Sequence, residues 1–440
     1  MNDLRSYLTE LKSENRVKEF NRELSAEFEI PAVMKKYDGG PVLIFNRVKN
    51  QKIPVVAGLA GSRQIFMELL KADGNIDLYH KLMGGISDPR PPEVVSKAEF
   101  YDNSLKNDLT KLPILTFYEK DRGPYITSGI VYAKNPDTGV QNASIHRLLV
   151  VDKNHLSIRI VPRHLYSIYQ NYRKNNTPLP IAISIGVNPL VALSASAPIP
   201  FNFDEMAVAN SLLNRQLKVC ATPNLDIMVP AQSEIVIEAS ILPEDVDEGP
   251  FLDITETYDE VRKQPLVEVK EIFCRPSPIY HALLPGGSEH KLLMGLFREV
   301  KIYEHVKNVV PMVRGVNLTS GGTGWLHAVV SVTKQTEGDG KNVIFAAFSG
   351  HPSVKHVVVV DEDIDPYSME EVEWAIATRL RGATGIVIVP DVRGSTLDPS
   401  GDQQTGLTTK IGVDATRTLT KPREIFEKGI IPHKINLDEF

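Results

Sequence analysis

Acidic residues crowd the stretch D-E-G-P-F-L-D-I-T-E-T-Y-D, residues 247–259, around a Gly-Pro-Phe turn. Most runs of this kind are solvated surface loops. Glu248 and Asp253, however, are five residues apart across the Gly249-Pro250 bend, a spacing that can direct both side chains into one pocket. A carboxylic acid with a raised pKa can deliver a proton in such a pocket. The other acids of the stretch are expected to be ordinary surface or loop charges: Asp247, Glu256 and Asp259.

A second polar cluster, N-A-S-I-H-R at residues 142–147, stands at the start of a predicted strand. The two-residue period of a strand sends alternate side chains to opposite faces, with Asn142, Ser144 and His146 on one face and Ala143, Ile145 and Arg147 on the other. An arginine on a face that is expected to be apolar needs an anionic partner. An arginine at a strand edge in water explains the segment equally well, so both interpretations stay open at this point.

Two further side chains extend the polar cluster. P-R-H-L, residues 162–165, ends the next predicted strand but one, which can put His164 across the sheet from Asn142, and Glu205 starts a predicted helix. A lone histidine is more often a hydrogen-bonded structural residue, and a glutamate at a helix start is usually a cap or dipole partner. Asn142, His164 and Glu205 together would nevertheless make a mixed oxygen and nitrogen site suited to Mn²⁺ or Mg²⁺.

Apolar periodicity predicts the elements that position these side chains. Residues 3–20 have leucines at helical spacing, and two strand-like runs between residues 42 and 61 precede a helical stretch at 63–70. This pattern is typical of a small α/β unit, and the proline-containing segment 80–115 is interpreted as a connection. The sequence therefore predicts a first domain over residues 1–110.

The middle third changes to short β-branched runs joined by turns, which begin at Tyr125 and return until about residue 273. One helical interval, Phe203 to Arg215, interrupts them. Such a pattern is typical of an antiparallel barrel with a helical insertion. It predicts a central domain over residues 111–304.

The last third has a different predicted order. V-I-F-A-A-F at 343–348 and H-V-V-V-V at 356–360 are interpreted as strands, followed by a helix over 368–379 and a strand at 386–389. A βαβ crossover with a parallel pair of strands is the natural arrangement of these elements. We expect a C-terminal α/β domain over residues 305–440.

Composition narrows the class of protein. The chain has 440 residues, of which 42% are hydrophobic and 24% charged, with a formal net charge of -6. It lacks the basic surface that binds nucleic acid, and no run approaches the ~18 apolar residues that span a bilayer. The N-terminus has no apolar signal segment. We therefore expect a small-molecule ligand, no nucleic acid, no membrane and a cytoplasmic location.

Signatures of several other classes do not occur in the sequence. Cys220 and Cys274 lack metal-ligand spacing and are expected to pack in the core. There is no Rossmann glycine fingerprint, P-loop or nucleophile elbow. Glycine pairs at 283–290 and 319–325 can admit a phosphate or flavin ring close to the backbone, although each is more often a tight turn.

Taken in order, these segments resemble the UbiD family of decarboxylases, which use prenylated FMN. The resemblance rests on N-x-x-I-x-R at 142–147, P-x-H at 162–164, the S-x-P-I-P stretch that leads to Glu205, and E-G-P-F-x-D at 248–253. It covers nearly the whole chain in a consistent order. Loss of CO₂ from an sp² carbon leaves charge that the substrate cannot hold, so the cofactor of this family serves as the electron sink.

The resemblance implies an α/β multi-domain fold whose central split β-barrel, similar to flavin reductases, carries the cofactor. It implies a divalent metal site that holds the cofactor phosphate, with potassium nearby, at Asn142, His164 and Glu205. It implies cofactor contacts at Ile145, His146, Arg147, Arg159, Ile160, Val161, His164, Leu165 and Lys355. It also implies a catalytic acid/base group in which Asp253 donates the proton and Glu248 is the partner of Arg147.

Within the family, A-L-L-P-G-G-S-E-H-K-L-L-M-G at 282–295 and D-I-T-x-T-Y-D resemble the archaeal-type branch most. This implies decarboxylation of trans-anhydromevalonate 5-phosphate to isopentenyl phosphate in a modified mevalonate pathway. The alternatives are a decarboxylase of an aromatic acid such as a hydroxybenzoate, and an inactive flavin-binding scaffold. The substrate phosphate would need a basic patch, for which the sequence offers Lys291, Arg298 and Arg393.

The same resemblance implies partners, and the sequence departs from the family pattern at two positions. The partners are a flavin prenyltransferase, which supplies the cofactor, and further copies of this chain, in a dimer or hexamer assembled through the C-terminal region. Some family members carry glutamate at the position of Asp253, and glycine is common at the position of Glu256. These two departures bear on the size of the substrate and not on the reaction.

Overall fold

The structure is a computed structural model that describes residues 3–431. These residues divide into two compact units. The first contains the described residues up to Val300 together with Ser320–Trp325 and Leu397–Pro399. The second contains Lys301–Thr319, Leu326–Thr396 and the described residues from Ser400 onward. The boundaries at residues 110 and 304 stay predictions.

The helices differ widely in length, from a single turn to almost six turns. Their bounds are α1 Leu4–Ser13, α2 Glu29–Lys36, α3 Arg63–Leu70, α4 Asn75–Ser87, α5 His164–Lys174, α6 Pro189–Ser194, α7 Glu205–Leu212, α8 Ser288–Lys307, α9 Asp339–Gly350, α10 Met369–Arg379 and α11 Gly382–Gly385. Within residues 3–431, none of the helices is both long and apolar enough to span a bilayer.

The strands of residues 3–431 belong to five sheets. Their bounds are β1 Val17–Phe20, β2 Val42–Phe45, β3 Val55–Ala57, β4 Glu93–Val94, β5 Asn103–Ser104, β6 Tyr125–Ile126, β7 Ile130–Lys134, β8 Gln141–Ile145, β9 Leu148–Val150, β10 His155–Ile158, β11 Leu179–Ile185, β12 Lys218–Ala221, β13 Met228–Pro230, β14 Ile235–Glu248, β15 Phe251–Leu252, β16 Tyr258–Asp259, β17 Arg262–Cys274, β18 Tyr280–His281, β19 Val313–Leu318, β20 His327–Val332, β21 His356–Asp361, β22 Ile386–Arg393 and β23 Leu407–Asp414.

The first unit begins with the predicted α/β pattern. In α1, Leu4, Leu8 and Leu11 are buried, as their helical spacing predicts, and Asp3 caps the helix by accepting a hydrogen bond from the backbone of Ser6. Val17, which the prediction included in the helix, instead starts β1. The sheet has the strand order β1-β2-β3-β18, so a strand from late in the chain completes it.

The center of the first unit is a nine-stranded sheet. Its main order is β6-β9-β10-β17-β14-β11-β7-β8, and β5 pairs with β17. Neighbouring strands are antiparallel, as predicted. The long pair β14 and β17 has register shifts between Glu238 and Ala239 and between Ile241 and Asp245. Bulges bend and twist the strands that contain them, so this pair curls the sheet.

One hydrophobic core joins the two parts of the first unit. It contains Phe45 and Val55 from the four-stranded sheet and Ile183 and Ile237 from the central sheet, all fully buried. Cys274 belongs to this core, and Cys220 is also buried. Both thiols are free, which confirms that the cysteines serve packing.

The second unit contains a five-stranded sheet of order β19-β20-β21-β23-β22 and corrects two predictions. V-I-F-A-A-F is part of helix α9 and not a strand. A short apolar run fits both periods, and here Val343, Ile344 and Ala347 are buried at helical spacing. The predicted parallel pair of β21 and β22 is also wrong, because β23 lies between them. The parallel neighbours are β20 and β21, joined through α9, and β21 and β23.

Candidate active site and cation site

The acidic turn and the N-A-S-I-H-R segment meet at one end of the central sheet. Arg147 follows β8, and Glu248 is the last residue of β14. The chain then turns at Gly249, whose φ of +92° favours glycine, and a Cβ there would lie 3.0 Å from the carbonyl oxygen of Glu260. Next comes the short hairpin of β15 and β16, in which Phe251 pairs with Asp259. Asp253 lies in the turn of this hairpin.

Three carboxylates contact the guanidinium of Arg147. Nε and Nη2 donate to the two oxygens of Glu248 at 2.9 and 2.8 Å, which is a bidentate pair. Nη1 donates to Oδ2 of Asp253 at 2.7 Å, and Nη2 also donates to Oδ2 of Asp259 at 3.0 Å. The ring of Phe251 lies under the guanidinium, 4.7 Å from centroid to Cζ. Arg147 therefore fixes all three acids around one point.

The electrostatics of this cluster favour a charged arginine. Burial opposes the charge of Arg147, but the carboxylates of Glu248, Asp253 and Asp259 outweigh it and raise the pKa of the guanidinium above its ordinary value. The expected anionic partner of Arg147 is therefore present, and the alternative of an arginine in water at a strand edge is excluded.

Glu248 and Asp253 differ in exposure and in their hydrogen bonds. The side chain of Glu248 is 0% exposed and uses both oxygens on Arg147. The side chain of Asp253 is 16% exposed. One of its oxygens accepts a hydrogen bond from Arg147, and the other accepts from the backbone N–H of Ile254 at 2.7 Å. Of the two, only Asp253 is accessible to a bound molecule.

Asp259 corrects the expectation that it is a surface or loop charge. Its side chain is only 7% exposed and contacts Arg147, with Arg159 at 3.6 Å and Arg262 at 3.3 Å. Burial opposes its ionisation, but these three arginines lower the pKa of Asp259 below its ordinary value. The pairing of Asp259 with Phe251 puts it in the cluster, and strands of two residues are too short for a periodic signal in the sequence.

Two more titratable groups border the cluster, and sequence reasoning did not single them out. Asp121 accepts hydrogen bonds from the backbone of Tyr118 and Leu252 at 3.0 and 3.2 Å, and burial raises its pKa to about 6. His290 accepts a hydrogen bond at Nδ1 from the backbone of Gly286 at 3.1 Å, and burial lowers the pKa of its imidazole. Because Nδ1 accepts this hydrogen bond, the remaining ring proton lies on Nε2, and the negative charge of Asp253 acts against the lowering of the pKa of His290.

Glu256, the position where the family often has glycine, has a φ of +60°. This left-handed conformation is strained for residues other than glycine, asparagine and aspartate. Its carboxylate is 43% exposed and pairs with Lys291 at 2.7 Å and Lys35 at 3.1 Å. The expectation of an exposed charge at Glu256 is confirmed, as it is for Asp247, which pairs with Lys263.

The residues proposed for a metal also come together, beside the same strand. Asn142 is on β8, Glu205 is the first residue of α7, and His164 is the first residue of α5. The prediction that His164 ends a strand is wrong, because β10 already ends at Ile158. Oε2 of Glu205 accepts a hydrogen bond from the backbone of Ala143 at 2.9 Å, and Oε1 lies 3.8 Å from Nδ1 of His164.

This set of donors fits a hard divalent cation. A small cleft at this place is lined by Asn142, His164, Phe201 and Phe203. The carboxylate of Glu205 is almost fully buried, and among the described residues its Oε1 has no closer partner than Nδ1 of His164. An amide oxygen, a carboxylate oxygen and an imidazole nitrogen are ligands that Mn²⁺ and Mg²⁺ accept. Within residues 3–431, no cluster of three His, Cys, Asp or Glu is spaced for a metal, and this set depends on an asparagine.

The remaining residues expected to bind the cofactor differ in their burial and in their hydrogen bonds. Ile160 and Leu165 are buried in the core, whereas Ile145 and Arg159 are half-buried and Val161 is exposed. His146 uses both ring nitrogens in hydrogen bonds within the protein. Lys355 belongs to the second unit, where its ammonium donates to the hydroxyl of Ser400. The contacts of these residues with a cofactor stay predictions.

Comparison with known proteins defines the class of protein. Residues 8–84, 93–288 and 291–415 match the N-terminal, Rift-related and C-terminal domains of 3-octaprenyl-4-hydroxybenzoate carboxy-lyase, UbiD. A curated relative, the anhydromevalonate phosphate decarboxylase of Methanothermobacter thermautotrophicus, is 45% identical over 417 residues, which are 94% of this chain and 97% of the relative. The chain therefore belongs to the UbiD family of carboxy-lyases, and the expected family is confirmed.

Solved structures of the same class share the fold over the whole chain. The UbiD-class enzyme HmfF from Pelotomaculum thermopropionicum, in complex with FMN, has a TM-score of 0.96 and 41% sequence identity, with 100% of both chains covered. An evolved dimeric form of HmfF in complex with prenylated FMN has a TM-score of 0.92 and 38% identity, again with 100% of both chains covered.

The buried position of Asp259 leads to a stability prediction. We expect Asp259→Asn to lower the free energy of unfolding by about 2 kcal/mol, because Arg147, Arg159 and Arg262 then lose a shared counter-ion. Urea-induced unfolding of the purified chain measures this change. The matched control is Asp247→Asn, in the same acidic stretch, whose exposed pair with Lys263 contributes at most about 1 kcal/mol. Equal effects of the two substitutions would contradict a structural role for Asp259.

Proposed function

We propose that this chain is a prenylated-FMN-dependent decarboxylase that converts trans-anhydromevalonate 5-phosphate to isopentenyl phosphate and CO₂. The observation that carries the proposal is the arrangement around Arg147, with one carboxylate buried and fully engaged and a second one accessible. The substrate follows from the 45% identical relative, whose name is anhydromevalonate phosphate decarboxylase.

Two groups of residues would hold the cofactor. We propose that the curled central sheet forms a split β-barrel that binds prenylated FMN, in line with the complexes of HmfF. The bound cofactor supplies an electron sink for the carbon that loses CO₂. Asn142, His164 and Glu205 would hold Mn²⁺ or Mg²⁺ at the cofactor phosphate, with K⁺ nearby. The expected contact of Lys355 with that phosphate is part of the same proposal.

The residues around Arg147 have separate tasks in this reaction. Decarboxylation replaces a bond from carbon to a carboxylate by a C–H bond, so one proton must reach the carbon that lost CO₂. Asp253 delivers it after taking up a proton from solvent, because it is the accessible acid. Glu248 holds Arg147 through both of its oxygens, and Arg147 in turn positions Asp253. The exclusion of water by the ring of Phe251 strengthens these interactions.

Of the three basic residues offered by the sequence, Arg298 is best placed to bind the substrate phosphate. Lys291 is already paired with Glu256, and Arg393 is exposed on β22 in the second unit. Arg298 follows His290 by two turns of α8 and therefore shares its face. Its Nε is buried without a hydrogen-bond partner in the described part of the chain. Burial, together with the charge of Arg163, lowers the pKa of Arg298 to about 10. An anion would relieve both effects.

The proposal includes the organisation of the chain and its partners. We propose an N-terminal α/β domain over residues 1–110, the cofactor domain over 111–304 and a C-terminal α/β domain over 305–440 that forms homo-oligomers, with a dimer or a hexamer as the expected states. A flavin prenyltransferase supplies the cofactor, and the enzyme acts in the cytoplasm on isoprenoid precursors. The family membership and the dimeric form of HmfF support these assignments.

The direct test is co-expression of the chain with a flavin prenyltransferase, followed by measurement of CO₂ release. We expect turnover of anhydromevalonate phosphate, weaker turnover of its dephosphorylated form and none of hydroxybenzoates. Turnover of hydroxybenzoates alone would show that the substrate is an aromatic acid and not anhydromevalonate phosphate. A chain that binds flavin but releases CO₂ from no acid would be the inactive scaffold, and absence of both flavin and turnover would overturn the decarboxylase as a whole.

The phosphate assignment has its own prediction. We expect Arg298→Gln to raise KM for anhydromevalonate phosphate about 10-fold or more with a smaller change in kcat, because a charge-assisted contact to the phosphate contributes roughly 1.5–3 kcal/mol. Steady-state kinetics of the holoprotein measure both constants. Arg393→Gln is the matched control and should leave KM unchanged. An unchanged KM in Arg298→Gln would exclude Arg298 from phosphate binding.

A further inference from the structure

We infer that Ser144 and His146 are positioning residues that fix which end of the Asn142 amide faces the cation. This inference rests on the cation site of the proposed function. It concerns a chain of hydrogen bonds along one face of β8, which begins at Asn142 and ends at a backbone carbonyl. Its consequence is that the orientation of one metal ligand depends on two residues that do not touch the metal.

The hydrogen bonds form an unbroken series. Nδ2 of Asn142 donates to the hydroxyl of Ser144 at 3.0 Å. The hydroxyl of Ser144 lies 2.9 Å from Nε2 of His146. Nδ1 of His146 lies 2.8 Å from the carbonyl oxygen of Arg159. Asn142 and Ser144 are alternate residues of β8, and His146, which directly follows the strand, continues the same two-residue period, so this alternation creates the series.

The carbonyl at the end of the series sets the direction of every donor. A carbonyl oxygen only accepts, so Nδ1 of His146 must carry a hydrogen. Burial lowers the pKa of His146 to about 4, and the ring is therefore neutral at neutral pH with an acceptor at Nε2. The hydroxyl of Ser144 must then donate to Nε2, and its oxygen accepts from the amide of Asn142. Only the NH₂ end of Asn142 can satisfy this oxygen, which leaves Oδ1 for the cation site.

The direction matters because the two ends of an amide are opposites for a cation. Oδ1 is a hard oxygen ligand, whereas the NH₂ group carries two hydrogens and repels a cation. The strand also orients a second ligand. The backbone N–H of Ala143 donates a hydrogen bond to Oε2 of Glu205, so that Oε1 is directed toward His164. The strand β8 thus orients two of the three proposed ligands. Partners that orient metal ligands typically change metal affinity 10- to 100-fold when removed.

The test measures Mn²⁺ affinity of the full chain, co-expressed with a flavin prenyltransferase, freed of metal with a chelator and titrated while free Mn²⁺ is followed by EPR. We expect Ser144→Ala to weaken Mn²⁺ binding about 10-fold or more and Ser144→Thr, which keeps the hydroxyl, to restore it. The matched control is Ser184→Ala, which removes a fully buried hydroxyl from β11 of the same sheet. That control should bind Mn²⁺ as the wild type does.

A second experiment in the Asn142→Asp variant separates two possible effects of Ser144→Ala. One is loss of the orientation of the metal ligand, and the other is a general weakening of the strand. In Asn142→Asp both ends of the side chain are oxygens, so the additional change Ser144→Ala should leave its Mn²⁺ affinity unchanged. A loss that persists in this background, an equal loss in Ser184→Ala, or wild-type affinity in Ser144→Ala would overturn the inference. His146→Phe gives the same test if Ser144→Ala does not fold. A wild-type chain that binds no Mn²⁺ also overturns it, whereas Mn²⁺ binding without decarboxylation overturns only the proposed function.

Discussion

The charge of Arg147 is the constraint on which the rest of the site depends. A guanidinium removed from water is strongly unfavourable unless carboxylates compensate it, and here three do so. The carboxylates must reach the guanidinium of Arg147. This requirement determines where the long strand β14 ends, makes the chain turn back at once into a two-residue hairpin, and sets which side of that hairpin faces inward. The acidic stretch is therefore ordered around an arginine that lies a hundred residues earlier, and its acids are held within hydrogen-bond distance of one group. In such a network each carboxylate keeps a distinct environment, which is what acid/base chemistry requires.

The second organising feature is the alternation of β8 and the residues that follow it. One face of the strand carries Asn142 and Ser144, which are linked to each other and to His146 just beyond the strand, and the chain then places Arg147 among the acids. In the proposed enzyme Asn142 of the cation site and Arg147, which positions the proton donor, are therefore only five residues apart along the chain, and the sheet fixes their separation. Sites built on strands are more precise than sites built on loops. The accessible acid is the exception, because Asp253 lies in the hairpin turn and its position depends on Arg147 and on the backbone of Ile254.

The sequence was sufficient to predict an anionic partner for Arg147 and the antiparallel central sheet, because each has a strong local pattern. The family resemblance grouped Arg147 with Glu248 and Asp253, and Asn142 with His164 and Glu205, and the structure brings the members of each group together. The sequence was insufficient where a tertiary contact determines the burial or the secondary structure of a residue. Asp259 becomes buried through the register of a hairpin too short to show any period. The run V-I-F-A-A-F fits a strand and a helix equally well until its neighbours in the second sheet are known. Asp121 has a raised pKa only because the chain elsewhere buries it. In each case the missing information is the environment and not the residue type.

The central claim is that Asp253, held by Arg147, is the proton donor of a decarboxylase. The most direct measurement is the turnover of Asp253→Asn and Asp253→Glu in holoprotein that contains the cofactor, with flavin content and melting temperature recorded for each. We expect Asp253→Asn to keep the flavin and the fold but to lose roughly 10²- to 10⁴-fold in kcat, because a general acid is removed. Asp253→Glu, which retains an acid at a longer reach, should recover part of that loss. Full turnover by Asp253→Asn would contradict the account.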